Sequence, residues 1–75
     1  MNKKRRASIS EALFLLKNAL SIIRIISMEE DNALNNIPEN LQDSEIYAKS
    51  ESAIENLESA EEYIQDAISE LDEIS

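Results

Sequence analysis

Apolar side chains recur through residues 7–36 at intervals of three and four, the spacing that places residues on one face of an α-helix. The central row has a 4-3-4-3 spacing, and neighbouring positions widen it to roughly half of the helix circumference at about 100° per residue. The row and the residues that widen it are Ile9, Ala12, Leu13, Leu16, Ala19, Leu20, Ile22, Ile23 and Ile26. Phe14, Ile25 and Met28 interrupt the opposite, polar side. The pattern predicts a helix whose apolar surface is wider than one partner helix can cover.

Residues 45–74 follow a stricter pattern of three consecutive heptads, 52–58, 59–65 and 66–72. Each heptad has alanine at its second position and a large aliphatic residue at its sixth. These core positions are Ala53, Leu57, Ala60, Ile64, Ala67 and Leu71, and Ile46, Ser50 and Ile74 extend the row at its ends. Small residues at every seventh position let two helix backbones approach closely. The heptads therefore predict a helix over 45–74 that packs against the first.

A short polar segment with one proline, residues 37–44, separates the two patterns. Pro38 cannot continue a helix and restricts the residue before it, so the first helix is expected to end near Asn36. Ser44 or Asp43 is the expected cap of the second helix. Two apolar residues of the turn are expected to cover the open end of the hairpin: Ile37 and Leu41.

These elements predict one all-α domain over residues 1–75, an antiparallel two-helix hairpin that resembles a coiled coil. The expected boundaries are a basic tail over 1–6, helix 1 over 7–36, the turn over 37–44 and helix 2 over 45–74. Ser8 or Ser10 is the expected cap of helix 1. Because one hairpin leaves apolar surface uncovered, we expect a homodimer that forms a four-helix bundle. The candidate dimer interface consists of Ile22, Ile26, Ile54 and Ile68.

The amino-acid composition of the 75 residues excludes most types of catalytic and metal-binding site. The chain has no glycine, cysteine, histidine or tryptophan. It therefore has no glycine-rich phosphate loop, no zinc ligands of the Cys or His type, no thiol nucleophile and no Ser-His pair. Carboxylate-bridged di-iron bundles need a histidine three residues after a glutamate, which is absent here. We therefore expect a protein that is not an enzyme and has no cofactor, no metal site and no catalytic residue.

Charge is distributed unevenly along the chain. The net charge is −9, yet residues 1–24 carry six bases and one acid, whereas residues 25–75 carry fifteen acids and one base. Folding into a hairpin would place Lys17 near Glu62 and Arg24 near Glu58. We therefore expect much of the asymmetry to be balanced between the two helices, although each exposed pair contributes only about 0–1 kcal/mol.

Six acidic residues of helix 2 form a candidate binding face: Glu51, Glu55, Glu58, Glu62, Asp66 and Glu70. Such a row of carboxylates can imitate a nucleic-acid backbone and occupy a protein that binds nucleic acid. The alternative is a solvated face that keeps a small protein in solution. The four bases at residues 3–6 lack interleaved aromatic residues, so we expect no direct, specific binding of nucleic acid.

Membrane insertion is not expected. The longest uninterrupted apolar run is Ala12–Leu16, against about 20 residues for a transmembrane helix. The basic start followed by apolar residues differs from a signal peptide because Lys17 and Arg24 interrupt it and no small-residue cleavage site follows. The absence of cysteine is compatible with a reducing cytoplasm, where we expect this protein to be.

The turn sequence Asn36-Ile37-Pro38-Glu39-Asn40-Leu41-Gln42, followed by Ser44-Glu45 and the alanine-containing heptads, resembles small acidic helical-hairpin proteins of bacteria, phages and prophages. The resemblance covers nearly the whole chain, including the basic Met-Asn-Lys start. Those proteins commonly have glycine where this chain has Asp43, and arginine near Ile46. The resemblance implies an accessory protein of a phage or mobile element, made in the cytoplasm, and it assigns no functional residue.

Together these observations predict a non-enzymatic protein–protein interaction module. In the leading interpretation it binds a host or defence protein through its helical surface, and mimicry of nucleic acid by the acidic face is one form of such binding. In the alternative it is a structural bundle that stabilises a co-encoded assembly.

Overall fold

The protein is a helical hairpin of two long antiparallel helices. The structure, a computed structural model, describes residues 1–75. Helix α1 spans Lys3–Asn35, a 3₁₀ turn spans Glu39–Leu41 and helix α2 spans Glu45–Ile74. The Cα atoms extend over 59 × 14 × 13 Å. The predicted all-α hairpin is confirmed, and α2 has the bounds that the heptads predict.

Helix α1 begins four residues earlier than predicted. The side chain of Asn2 accepts a hydrogen bond from the Arg5 backbone N–H at 2.8 Å, which is the geometry of an N-cap. The predicted tail over 1–6 is therefore wrong from Lys3 onward, and the expected Ser8 or Ser10 cap is also wrong. Ser8 lies inside the helix and donates to the Lys4 carbonyl oxygen. Four consecutive bases oppose the helix dipole, but capping by Asn2 satisfies a free N–H and α1 continues through them.

The turn between the helices forms its backbone hydrogen bonds between residues that are close in sequence. Helix α1 ends one residue before Asn36, close to the predicted position, and the Ile37 N–H donates to the Leu34 carbonyl oxygen at 3.1 Å. Pro38 then precedes the 3₁₀ turn, and the predicted Ser44 cap is confirmed, since its hydroxyl accepts from the Tyr47 N–H at 3.2 Å. No residue has a positive φ, so the turn needs no glycine.

The seam between the helices is thin. Leu13 and Leu20, seven residues apart on α1, are the two buried hydrophobic residues, each 7 % exposed. The predicted α2 row that faces them is half-buried along its length: Ala53, Leu57, Ala60, Ile64, Ala67 and Leu71. Of the three residues predicted to extend the row, Ser50 is buried, whereas Ile46 is 74 % exposed and Ile74 is 47 % exposed. The predicted extension is therefore wrong at Ile46 and Ile74, which lie in the first and last turns of α2, where a helix has fewer neighbours.

The turn closes the seam only in part. Ile37 is half-buried, as predicted, whereas Leu41 is exposed. Leu41 lies in the 3₁₀ turn, and its side chain remains accessible to water beyond the end of both helices. The expectation that Leu41 covers the open end is therefore wrong.

Two serine–glutamate hydrogen bonds cross the seam. The Ser50 hydroxyl donates to a Glu30 carboxylate oxygen at 2.6 Å, and the Ser27 hydroxyl donates to a Glu61 carboxylate oxygen at 3.2 Å. Ser50 is buried, and the other three residues are half-buried. Each helix contributes one serine and one glutamate. A register slip would separate both pairs, so these bonds favour one alignment of the helices.

Candidate interaction surfaces

The six predicted acidic residues all lie on the outside of α2. Successive members are three or four residues apart, so they form a stripe on one side of the helix. All six side chains are exposed: Glu51, Glu55, Glu58, Glu62, Asp66 and Glu70. We call these six residues the acidic face. The two glutamates that turn toward the seam, Glu30 and Glu61, are outside this set.

The bases of α1 do not neutralise the acidic face. The only ion pair in the molecule joins Lys49 to Glu45 at 3.3 Å within α2. The expected pairs of Lys17 with Glu62 and of Arg24 with Glu58 are therefore absent. Exposed charges gain little from such pairing, and these side chains remain in solvent instead of meeting across the seam. The basic half of α1 thus lies along acidic residues of α2 without forming ion pairs with them.

Helix α1 adds to the negative charge at the turn half of the molecule. A shallow groove of about 180 Å³ lies along one edge of the hairpin. Four carboxylates surround two aliphatic side chains there, one carboxylate from α1 and three from the acidic face. The lining residues are Asp31, Leu34, Glu51, Ile54, Glu55 and Glu58. Sequence analysis missed Asp31 because only the register of the hairpin brings it beside α2.

The four candidate dimer residues do not share one surface. Ile54 lines the acidic groove beside Asp31, whereas Ile26 lies two helical turns before Ala33, which lines a groove with Lys49 on the other edge. Asp31 and Ala33 are about 200° apart around α1, so these edges are opposite. Ile22 and Ile26 are exposed, while Ile54 and Ile68 are half-buried. The candidate interface thus divides between the two edges.

A larger exposed apolar surface covers about half of the circumference of α1, on its flanks and on the side away from α2. Its side chains are 42–65 % exposed. They are Phe14, Leu15, Ile22, Ile25, Ile26 and Met28, which we call the outer face of α1. Sequence analysis singled out Phe14, Ile25 and Met28 as intruding on a polar side. The full set could have been found from the seven-residue interval between Leu15 and Ile22 and the next turn at Ile25 and Ile26.

The structure shows no arrangement of side chains suited to a metal ion. No group of three or more acidic side chains converges in that way. Neither helix combines the length and the apolar character that crossing a bilayer requires. The acidic face and the outer face of α1 are the two extended surface features of the hairpin.

These surfaces define the class of the protein, an all-α helical hairpin with an acidic helix and an apolar outer face on its other helix. Comparison of the chain with protein-family models, curated proteins and solved structures found no match.

Proposed function

We propose that this protein is a non-enzymatic interaction module whose acidic face occupies the nucleic-acid site of a protein partner. The observation that carries the proposal is that all six carboxylates of the face are exposed and none is held in an ion pair. A partner therefore does not have to break an internal contact in order to bind them.

The density of charge on α2 supports mimicry of nucleic acid. The acidic face places six carboxylates over residues 51–70. At 1.5 Å per residue, this amounts to one carboxylate per roughly 5–6 Å of helix axis. A DNA strand carries one phosphate per about 3.4 Å. The face is thus a sparser row of negative charge than a DNA strand, on a length scale that a basic groove can still bind.

The setting proposed for this activity follows from the resemblance of the turn and the heptads. We propose an accessory protein of a phage or mobile element that acts in the cytoplasm on a host or defence protein. We also propose that it acts as a homodimer, since the hairpin buries only two hydrophobic residues and has no disulfide to reinforce it.

Displacement from DNA tests the acidic face directly. Bacterial lysate proteins are retained on immobilised duplex DNA, and the hairpin protein is added at low salt. We expect it to release a DNA-binding protein that then co-elutes with it. Raising the salt to about 1 M shortens the screening length to about 3 Å and should abolish this complex. Failure to release any protein contradicts the proposal.

A pair of variants with equal net charge separates the face from charge in general. The first variant replaces the acidic face by amides: Glu51→Gln, Glu55→Gln, Glu58→Gln, Glu62→Gln, Asp66→Asn and Glu70→Gln. The control neutralises six acids elsewhere: Glu11→Gln, Glu29→Gln, Glu39→Gln, Asp43→Asn, Asp72→Asn and Glu73→Gln. Loss of binding by about tenfold or more is expected for the first variant alone. Equal loss in both would show that the face has no special role.

The outer face of α1 favours a second candidate function. An exposed apolar surface of this kind is typical of a contact with another protein, and it suits a bundle that stabilises a co-encoded assembly. In that case the protein would co-purify with its own assembly at high salt and would release nothing from DNA.

A further inference from the structure

The outer face of α1 has no partner within the hairpin. Its six side chains cover residues 14–28, about 21 Å of helix at 1.5 Å per residue. They lie outside the seam, and moving α2 to cover them would expose Leu13 and Leu20. Only a second molecule can therefore cover the outer face of α1.

The solvent-accessible area of the hairpin is larger than that of a compact monomer of the same mass. A compact monomer of 8.5 kDa is expected to expose about 4,700 Å². The hairpin exposes 5825 Å², an excess of about 1,100 Å² over that expectation. A standard protein interface buries about 800 Å² on each partner. Pairing along α1 can thus bury most of this excess surface area. The excess is large because the seam between α1 and α2 buries few residues.

Charge selects α1 as the helix that pairs. The outside of α2 carries the acidic face, so two copies of α2 would repel each other. Helix α1 instead has bases at residues 3–6 and acids at 29–31, at its two ends. A parallel pair would place bases against bases and acids against acids, whereas an antiparallel pair keeps like charges of the two copies apart.

We infer that the occupant of the outer face is a second copy of this chain, with the two α1 helices antiparallel about a twofold axis between Ser21 and Ile22. Leu15 of each copy then lies level with Met28 of the other, and residues 3–6 extend past the end of the other α1 at Asn35 toward the turn that contains Glu39. The inference rests on the proposed homodimer and specifies its interface.

The resulting order of helices is α2, α1, α1, α2. This layer differs from the four-helix bundle expected from the sequence, in which both helices of each hairpin contact the partner. It leaves both acidic faces on the outside, where each remains accessible to a protein partner. Self-association and binding through the acidic face are therefore compatible.

Disulfide cross-linking tests the antiparallel geometry, since the chain has no cysteine of its own. Glu11 and Asn32 are exposed and lie on the same side of α1, 21 residues or about 32 Å apart. A disulfide requires Cα atoms within about 7 Å. Mixing Glu11→Cys with Asn32→Cys protein under mild oxidation should therefore produce the mixed 11–32 dimer. Dimers linked 11–11 and 32–32 instead would overturn the antiparallel arrangement.

Sedimentation equilibrium provides a second measurement that does not depend on thiols. Ile22→Glu with Ile25→Glu buries charge in the inferred interface, and we expect the dimer Kd to rise by about 100-fold or more. The control, Asn56→Glu with Ser59→Glu, adds the same charge to exposed positions of α2 and should leave the Kd within about threefold. Circular dichroism at matched concentrations checks that both variants remain helical.

The outcomes separate this inference from the proposals on which it rests. A parent chain that sediments as a monomer up to millimolar concentration overturns both the homodimer and its interface, while displacement from DNA still judges the acidic face. A dimeric parent that resists Ile22→Glu with Ile25→Glu and gives no 11–32 link overturns the interface alone.

Discussion

Ser50 and Glu30 join the two helices by a 2.6 Å hydrogen bond near the turn, where the serine is the most buried polar residue of the chain. Glu30 occupies a place in the inward row of α1 where the apolar spacing would predict an aliphatic residue. The hydroxyl compensates for the partial loss of water around that carboxylate. The Ser50–Glu30 and Ser27–Glu61 hydrogen bonds therefore favour one register of the two helices, in addition to the apolar contacts of the seam.

Ser50→Ala is expected to lower the free energy of unfolding by about 1–2 kcal/mol, because a hydrogen bond to a charged group is lost. Urea denaturation followed by circular dichroism measures the change. The control is Ser52→Ala, which makes the same gain in helix propensity at an exposed position without a hydrogen bond to α1. Equal stability of the two variants would contradict a role for the Ser50–Glu30 bond.

Leu20→Ala is expected to destabilise the hairpin by about 2–3 kcal/mol, since it removes one of two buried aliphatic side chains. Leu15→Ala makes the same chemical change on the outer face of α1. It should alter stability by less than about 0.5 kcal/mol at concentrations where the chain sediments as a monomer. A similar loss for both variants in the monomer would contradict the assignment of the seam.

Ser44→Ala is expected to cost about 1 kcal/mol, because the Tyr47 N–H at the start of α2 loses its acceptor. Ser44→Asp keeps an acceptor and places a negative charge at the helix N-terminus, so it should retain the parent stability. Thermal denaturation compares the three proteins. Amide exchange should quicken at Tyr47 in the alanine variant alone, and unchanged exchange there would count against the cap.

Salt is expected to stabilise the hairpin. The net charge is −9, no ion pair joins the helices, and Asp31 lies in one groove with Glu55 and Glu58. Screening of this repulsion should raise the melting temperature as NaCl increases from about 10 to 200 mM. If attraction between the helices dominated instead, the melting temperature would fall.

Two double variants, each of which removes two negative charges, test where on the hairpin this repulsion is strongest. Glu55→Gln with Glu58→Gln removes charge beside Asp31, and we expect a higher melting temperature with a weaker dependence on salt. Glu62→Gln with Glu70→Gln removes the same charge from the half of α2 that lies along the basic half of α1. That control should raise the melting temperature less, and the reverse order would contradict repulsion at the turn half.

Local signals in the sequence determined the elements of this fold. The alanine heptads define α2, Pro38 limits α1, and Ser44 caps α2, because each acts through spacing or backbone geometry within a few residues. The early start of α1 is also local, since Asn2 is its cap. The four bases that follow this cap oppose the helix dipole, so charge alone does not indicate a helix start there.

Only the tertiary structure decided which polar and charged residues meet. The pairing of Ser50 with Glu30, the approach of Asp31 to the acidic face and the lack of ion pairs at Lys17 and Arg24 all depend on the alignment of two helices. A periodic pattern specifies which side of each helix is apolar, and it leaves relative rotation and register open. Those two quantities are set by side chains that are distant in sequence, and they place the acidic face and the outer face of α1 on separate surfaces.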